Sequence, residues 1–205
     1  MKINRYVIIS GSTRQESQSY KVSNYIATAL SPNTSIQVDM IDLSVQCFPL
    51  WDEAIWQLGP AWHSEWKNIS EKLKKADGII FVVPEWNGMA PPQLMNFLQL
   101  CSNDELSHKP GLIVSVSSGQ GGTYPIVELR ISSHKNTKIC YLPENIIVRD
   151  VKNVLNQFDV SESENDQYVR DRLHNALSIL HIYASTFKKI RADDLIKNSR
   201  YPYGM

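Results

Sequence analysis

Apolar and polar positions along the chain fall into two alternating patterns. Short apolar runs at residues 6–10, 78–83, 111–116 and 146–148, and the apolar positions Ile36, Val38, Met40 and Ile41 of a second short strand, are each bounded by turn-forming or polar residues. The run at 78–83 is apolar throughout, as in a strand buried on both faces of a parallel sheet. The run at 111–116 reads as a second buried strand, and 146–148 as a last central one. Between the runs, apolar residues recur at helical spacing. Val22, Ile26 and Leu30 mark a helix from about 17 or 19 to 30. Trp66, Ile69 and Leu73 mark one over 62–75. Leu94, Phe97, Leu98 and Cys101 mark another, opened by Pro91-Pro92 because a first turn needs no proline N–H. Ile126 and Leu129 mark a helix ending near His134, and a stripe from Val169 to Ile190 marks a long final one. Five strands alternating with helices predict an α/β fold around a parallel sheet.

No repeat, low-complexity tract or linker interrupts this alternation. One domain is therefore expected over 1–190, followed by a tail, 191–205, that either frays or drapes over the domain or a partner subunit. Residues 42–60 are less regular. Four of the five tryptophans (Trp51, Trp56, Trp62 and Trp66) lie there or just beyond. They form either an aromatic packing rim or a wall for a flat ligand or subunit contact.

Composition narrows the class. With 205 residues, 42% hydrophobic and 20% charged, the chain has globular proportions,. Its 21 basic and 21 acidic side chains cancel, which gives no bulk electrostatic reason to expect nucleic acid or an anionic membrane as partner. No run approaches 18 apolar residues, so no membrane insertion is expected. The N-terminus offers no long apolar leader. The cysteines (Cys47, Cys101 and Cys140) are three, far apart and without a CxxC. They read as reduced, mostly buried thiols of a cytoplasmic protein.

The candidate chemistry lies where three strands end. Residues 10–19 (SGSTRQESQS), 84–89 (PEWNGM) and 117–123 (SSGQGGT) open from strands one, three and four. In open parallel sheets, ligands sit outside the carboxyl ends of the strands. The first loop combines hydroxyls, Arg14 and a helix start, which together suit an anion, although capping serines occur without any ligand. It lacks GxxxxGK[ST], which argues against an ATPase or GTPase. It also lacks GxGxxG, since Gly11 is its single glycine,. The loop suits a terminal monophosphate better than a pyrophosphate and so points to a mononucleotide. FMN is the favoured one for a flavodoxin-like sheet.

These residues carry a resemblance. Gly11-Ser12-Thr13-Arg14-Gln15-Glu16-Ser17 resembles the GSxRxxS phosphate loop of the NADPH-dependent FMN reductase family. Pro84-Glu85-Trp86-Asn87-Gly88 resembles its PEYNG flavin loop. Ser118-Gly119-Gln120-Gly121-Gly122, with Leu129-Arg130, resembles its third loop. The resemblance implies a flavodoxin-like three-layer sandwich with strand order 2-1-3-4-5, and a homodimer or homotetramer. It makes Ser12, Arg14, Ser17 and Ser19 the phosphate ligands. Pro84, Glu85, Trp86, Asn87 and Gly88 would line the isoalloxazine, largely through backbone. Ser117, Gly119, Gly121 and Gly122 would approach its other flank. Ser19 stands where an asparagine is usual, and Trp86 where a tyrosine is usual.

The implied activity is transfer of hydride from NADPH or NADH through FMN to a small acceptor, a quinone or free flavin, by a ping-pong cycle. No catalytic side chain is demanded, because the flavin carries the chemistry. The backbone N–H groups of 119–122 are expected to stabilise charge on the reduced ring. The alternatives are a non-enzymatic FMN electron carrier and a flavin-free interaction protein. No metal is expected, since the five histidines show neither HxH nor HExxH,. No GxSxG elbow is present. Cys101 reads as core, and Arg130 as either an interface pair or a surface salt bridge.

Overall fold

The computed structural model describes residues 4–201. Five parallel strands, β1 (Asn4–Ser10), β2 (Ile36–Asp42), β3 (Gly78–Pro84), β4 (Pro110–Val116) and β5 (Cys140–Val148), pair in the order β2-β1-β3-β4-β5. The helices are α1 (Gln18–Leu30), α2 (Ala54–Leu58), α3 (Ser64–Lys75), α4 (Pro92–Leu100), α5 (Asn103–Leu106), α6 (Tyr124–Ser132), α7 (Glu164–Ala192) and α8 (Asp194–Lys197). Two 3-10 turns lie at Gly59–Trp62 and Val151–Asn153. The expected fold class and strand order are therefore found.

Alternation along each strand sends side chains into two cores. On one face Tyr6, Ile8, Ile80, Val82 and Val114 pack against Val22 and Ile26 of α1 and Leu173, Leu177 and Leu180 of α7. On the other, Val7, Ile9, Ile79, Phe81 and Ile113 pack against Trp66 and Leu73 of α3, Leu94 and Phe97 of α4 and Leu129 of α6. β3 and β4 are buried along their whole length, which is why they read as unbroken apolar runs. Ser10 lies opposite both Asp42 and Val82. The strand order thus reverses at β1, whose carboxyl end is the switch point.

Several elements differ from expectation. β5 is an edge strand of nine residues rather than a short central one. Its register breaks where Gly111 faces Tyr141 and Ile113 faces Asn145. Pro143 sits in that bulge, a position open to a residue with no N–H to donate. The Arg130 guanidinium is in no surface salt bridge among the described residues and donates to the carbonyls of Leu142 and Pro143, beside the bulge. α3 begins at Ser64, after a 3-10 turn that includes Pro60. Of the tryptophans, Trp66 is core while Trp56 is 77% exposed. Cys101 is buried as expected, but Cys47 is exposed and Cys140 only half-buried.

α7 runs past residue 190 to Ala192. It is tied down at its start by a buried pair, Arg170 to Asp166 at 3.0 Å. Beyond it the tail drapes over the domain, with Lys138 Nζ donating to the Tyr201 carbonyl at 3.1 Å. The tail's Pro202, Tyr203 and Gly204 lie outside the described residues.

Candidate active site

The carboxyl end of the sheet gathers all three loops. The first leaves β1 through Gly11, whose N–H donates to the Val82 carbonyl at 2.8 Å. A Cβ at Gly11 would lie 3.0 Å from that same oxygen and 3.1 Å from Leu94, so the chain passes β3 and α4 only as glycine. Ser12 is buried, and its Oγ accepts from the Arg14 N–H at 3.2 Å. Ser17 is the N-cap of α1, its Oγ accepting from the Tyr20 N–H at 3.0 Å. Each hydroxyl uses an acceptor lone pair in this bond and keeps its hydrogen for a ligand. Ser19 is buried in the first turn of α1, and Arg14 is exposed at the loop's outer edge. The first-turn N–H groups of a helix lack intrahelical acceptors. The starts of α1, α4 and α6 carry no acidic residue, whereas α3 and α7 begin with Glu65 and with Glu164 and Asp166. The helices that follow the three loops therefore keep positive ends that no first-turn carboxylate compensates.

The second loop is a tight reversal. Trp86 and Met89 exchange backbone hydrogen bonds, both 2.9 Å. Asn87 and Gly88 between them have φ of 50° and 74°, the paired left-handed conformations of a type I′ turn. Pro84 is not in the loop but ends β3, opposite Val116. The Ala90 N–H is held by Glu128 of α6 at 2.7 Å.

The third loop is bound to the second. The Glu85 carboxylate accepts from the Gly122 N–H. A Cβ on Gly121 would stand 2.7 Å from Glu85 Oε1, and one on Gly122 (φ 103°) would stand 2.4 Å from Ile147. Ser117 Oγ accepts from the Gly119 N–H at 3.3 Å. The expectation that residues 119–122 offer their N–H groups together is thus corrected. Those of Gly119 and Gly122 already serve protein acceptors, and Gln120 and Gly121 belong to the loop's exposed stretch, residues 118–121.

Sequence reasoning missed a fourth strand end. Arg149, just after β5, donates from Nε to the carbonyls of Gln120 (2.7 Å) and Gly121 (3.0 Å). The Asp150 N–H donates to the Gly119 carbonyl at 3.0 Å. The signal was the polar pair Arg-Asp at one more carboxyl end of the same sheet.

The residues present fit a bound mononucleotide. The hydroxyl hydrogens of Ser12 and Ser17 and a bare helix start share the first loop with the exposed Arg14, and glycines with no room for a Cβ bring backbone close in the third. Ser10 Oγ and Ser115 Oγ, in the strands beneath the loops, are buried without a hydrogen-bond partner among the described residues. A cavity of about 470 Å³ opens on the outer flank of α1, lined by Tyr20, Lys21, Tyr25, Asn156 and Phe158. It meets the first loop only at residues 16–18. Among the described residues, no group of histidine, cysteine or carboxylate side chains could hold a metal, and no helix is long and apolar enough to cross a membrane.

Comparison with known proteins agrees. A chain described as NADPH azoreductase, from Bacillus sp. (strain OY1-2), is 25% identical over 91% of this chain and 96% of its own. A quinone reductase from Pseudomonas putida is 27% identical over 57% of this chain and 62% of its own. Among solved structures, the flavoenzyme NAD(P)H:(acceptor) oxidoreductase FerB from Paracoccus denitrificans superposes with a TM-score of 0.68. It is 16% identical, over 91% of this chain and 98% of that one. The profile of the family described as NADPH-dependent FMN reductase matches residues 4–152, the span that holds all five strands and all three loops. The chain belongs to the NADPH-dependent FMN reductase family: it is an oxidoreductase enzyme that uses FMN and NAD(P)H.

Proposed function

We propose that the protein reduces a small, planar acceptor, a quinone or free flavin, by a ping-pong cycle at one open site on the carboxyl end of its sheet. When bound, FMN supplies the redox chemistry, accepting hydride from NADPH or NADH and passing it to the acceptor. Ser12, Ser17, Ser19 and Arg14 hold the phosphate, with the start of α1 adding its positive dipole end. The Trp86–Met89 reversal and the exposed backbone of Gln120 and Gly121 border the ring. Arg149 and Glu85 hold the third loop in place from its two sides.

The observation that carries this reading is the Glu85–Gly122 hydrogen bond, which joins the second and third loops into one edge beside the first. An edge of this kind leaves one ligand face open, so donor and acceptor occupy it in turn. Initial rates of NADPH oxidation at several quinone concentrations test the cycle. Parallel reciprocal plots are expected, and intersecting plots overturn the alternation. Absence of NADPH oxidation with quinones and free flavins alike overturns this choice of acceptor.

A homodimer or homotetramer is part of the proposal. Tyr124, Val127 and Ile131 of α6 and Met89 of the reversal are 45–71% exposed. Together they give the site an apolar border that a second copy would cover. Sedimentation at micromolar concentration tests it, a monomer being the contrary result.

A further inference from the structure

At the opposite end of the sheet from the three loops, a cavity of about 300 Å³ lies between the segment before β4, the turn before β5, and the tail. His108, Lys138, Arg191 and Lys197 line it, with Ser107 as a hydroxyl donor, Ser199, whose hydroxyl is bonded to Tyr201, and Asp104 as its carboxylate. We propose that this cavity is a second binding site, for a small phosphate-type anion, which pins the C-terminal tail to the domain.

Three observations carry the inference. The first is the arrangement of donors. Lys138 from the turn before β5 and Arg191 and Lys197 from the tail bring three cations to one space, beside the His108 ring and the Ser107 hydroxyl. That suits an anion with oxygens in several directions better than a flat carboxylate. The second is unused donor capacity. Arg191 gives one N–H to the His108 carbonyl (3.2 Å) and one to Asp77 (2.9 Å), out of five on a guanidinium. Lys138 gives one to Tyr201, out of three.

The third observation is the backbone. His108 and Lys138 both have φ of 52°, a conformation uncommon for residues other than glycine. The His108 N–H donates to the Lys138 carbonyl at 2.9 Å, so two strained residues are locked together at one cavity. Strain of this kind concentrates at ligand sites. Of the other positive-φ residues outside glycine, Glu16 and Asn87 lie in the flavin loops, Asp150 lies just past β5, and Leu155 lines the cavity beside α1.

The local charge balance points the same way. The cavity's carboxylate, Asp104, also faces Lys74 at 3.6 Å, and Asp194 faces Lys197 at 3.9 Å. Asp77, beneath Arg191, is shared with Lys188. Burial, and then the charges of Lys138 and Arg191, push the His108 imidazole below its usual range.

The test uses the FMN-loaded protein, so that the first loop is already filled, and reads the His108 ring resonance by NMR. Inorganic phosphate and glycerol 3-phosphate are titrated in turn against chloride at constant ionic strength. A β-strand rises about 3.3 Å per residue, which separates His108 from the loops by the length of β4, so its resonance reports the cavity alone. A saturable shift, with the tail's thermal release moving upward, is expected. Tighter binding of the ester assigns a phosphate monoester, and tighter binding of the ion assigns free phosphate. Combining Lys138→Gln with Lys197→Gln is expected to weaken binding at least ten-fold while NADPH oxidation stays unchanged. A shift that never saturates with either anion, or equal affinity in the variant, overturns the site. A protein that failed to bind FMN would still show the His108 shift.

Discussion

The Glu85 carboxylate, one residue past β3, accepts a hydrogen bond from the Gly122 N–H in the loop after β4. Thirty-seven residues apart in sequence, the two are the bolt between the second and third loops. Leaving a half-buried donor unsatisfied costs about 1–3 kcal/mol. Gly121→Ala forces the same bond open by a different route, because its new Cβ would meet Glu85 Oε1 at 2.7 Å. Both Glu85→Ala and Gly121→Ala are therefore expected to lower FMN affinity about ten-fold or more, at roughly 1.4 kcal/mol per decade, with little change in far-ultraviolet circular dichroism. Fluorescence titration of FMN checks this, and unchanged affinity in both variants contradicts the bolt.

Arg14 is exposed, so its removal disturbs no core. A hydrogen bond to a charged group contributes about 1.5–3 kcal/mol. Arg14→Ala is expected to weaken FMN binding by one to two orders of magnitude and leave the melting temperature of the FMN-free protein where it was. Unchanged affinity would place the phosphate elsewhere.

The buried Asp166–Arg170 pair concerns stability alone. Burial opposes the Asp166 charge, but the Arg170 side chain and the N–H groups of Leu155 and Glu162 outweigh it and hold the carboxyl below its usual range. The stability it contributes is present above the ordinary carboxylate pKa and is lost as pH falls through the lowered one. Asp166→Asn, which strands the Arg170 charge, is expected to cost about 3–5 kcal/mol in urea denaturation at neutral pH. The difference from the parent protein should shrink under acid.

Lys109 gives a slope of the same sign in an alkaline window,. Burial first, and then Arg191, lower it to about 7, against the raising effects of Asp77 and Glu105. Its Nζ donates to the Leu73 and Lys74 carbonyls at the end of α3. Between about 7 and the unfolded value of 10.5, the unfolded chain binds more protons at this site, so stability rises with pH. The limiting slope for one proton is about 1.4 kcal/mol per pH unit. Lys109→Met is expected to flatten that rise in denaturation midpoints measured from pH 7 to 10.

The parts of this molecule that were legible in the sequence are those decided by local pattern. β3 and β4 are buried on both faces and read as apolar runs. β5 was half legible because an edge strand needs no continuous apolar run, and Pro143 and Glu144 interrupt it at the bulge. The Asn87-Gly88 reversal and the Ser17 cap follow from residue type alone. What stayed hidden depends on distance across the fold. That Glu85 spends its carboxylate on Gly122, that Arg149 holds the third loop, and that Arg130 serves the β5 bulge are contacts between strand ends, which no periodicity encodes. The cavity at His108 needed the tail, whose course is set by Arg191 meeting Asp77 rather than by any motif.

The most direct test of the central claim is the absorbance spectrum of the purified protein, recorded without oxygen before and after NADPH is added. The expected result is a yellow protein whose flavin bands bleach with NADPH or NADH and return when a quinone is supplied. A colourless protein that takes up no added FMN, or a flavin that neither nicotinamide bleaches, would contradict it.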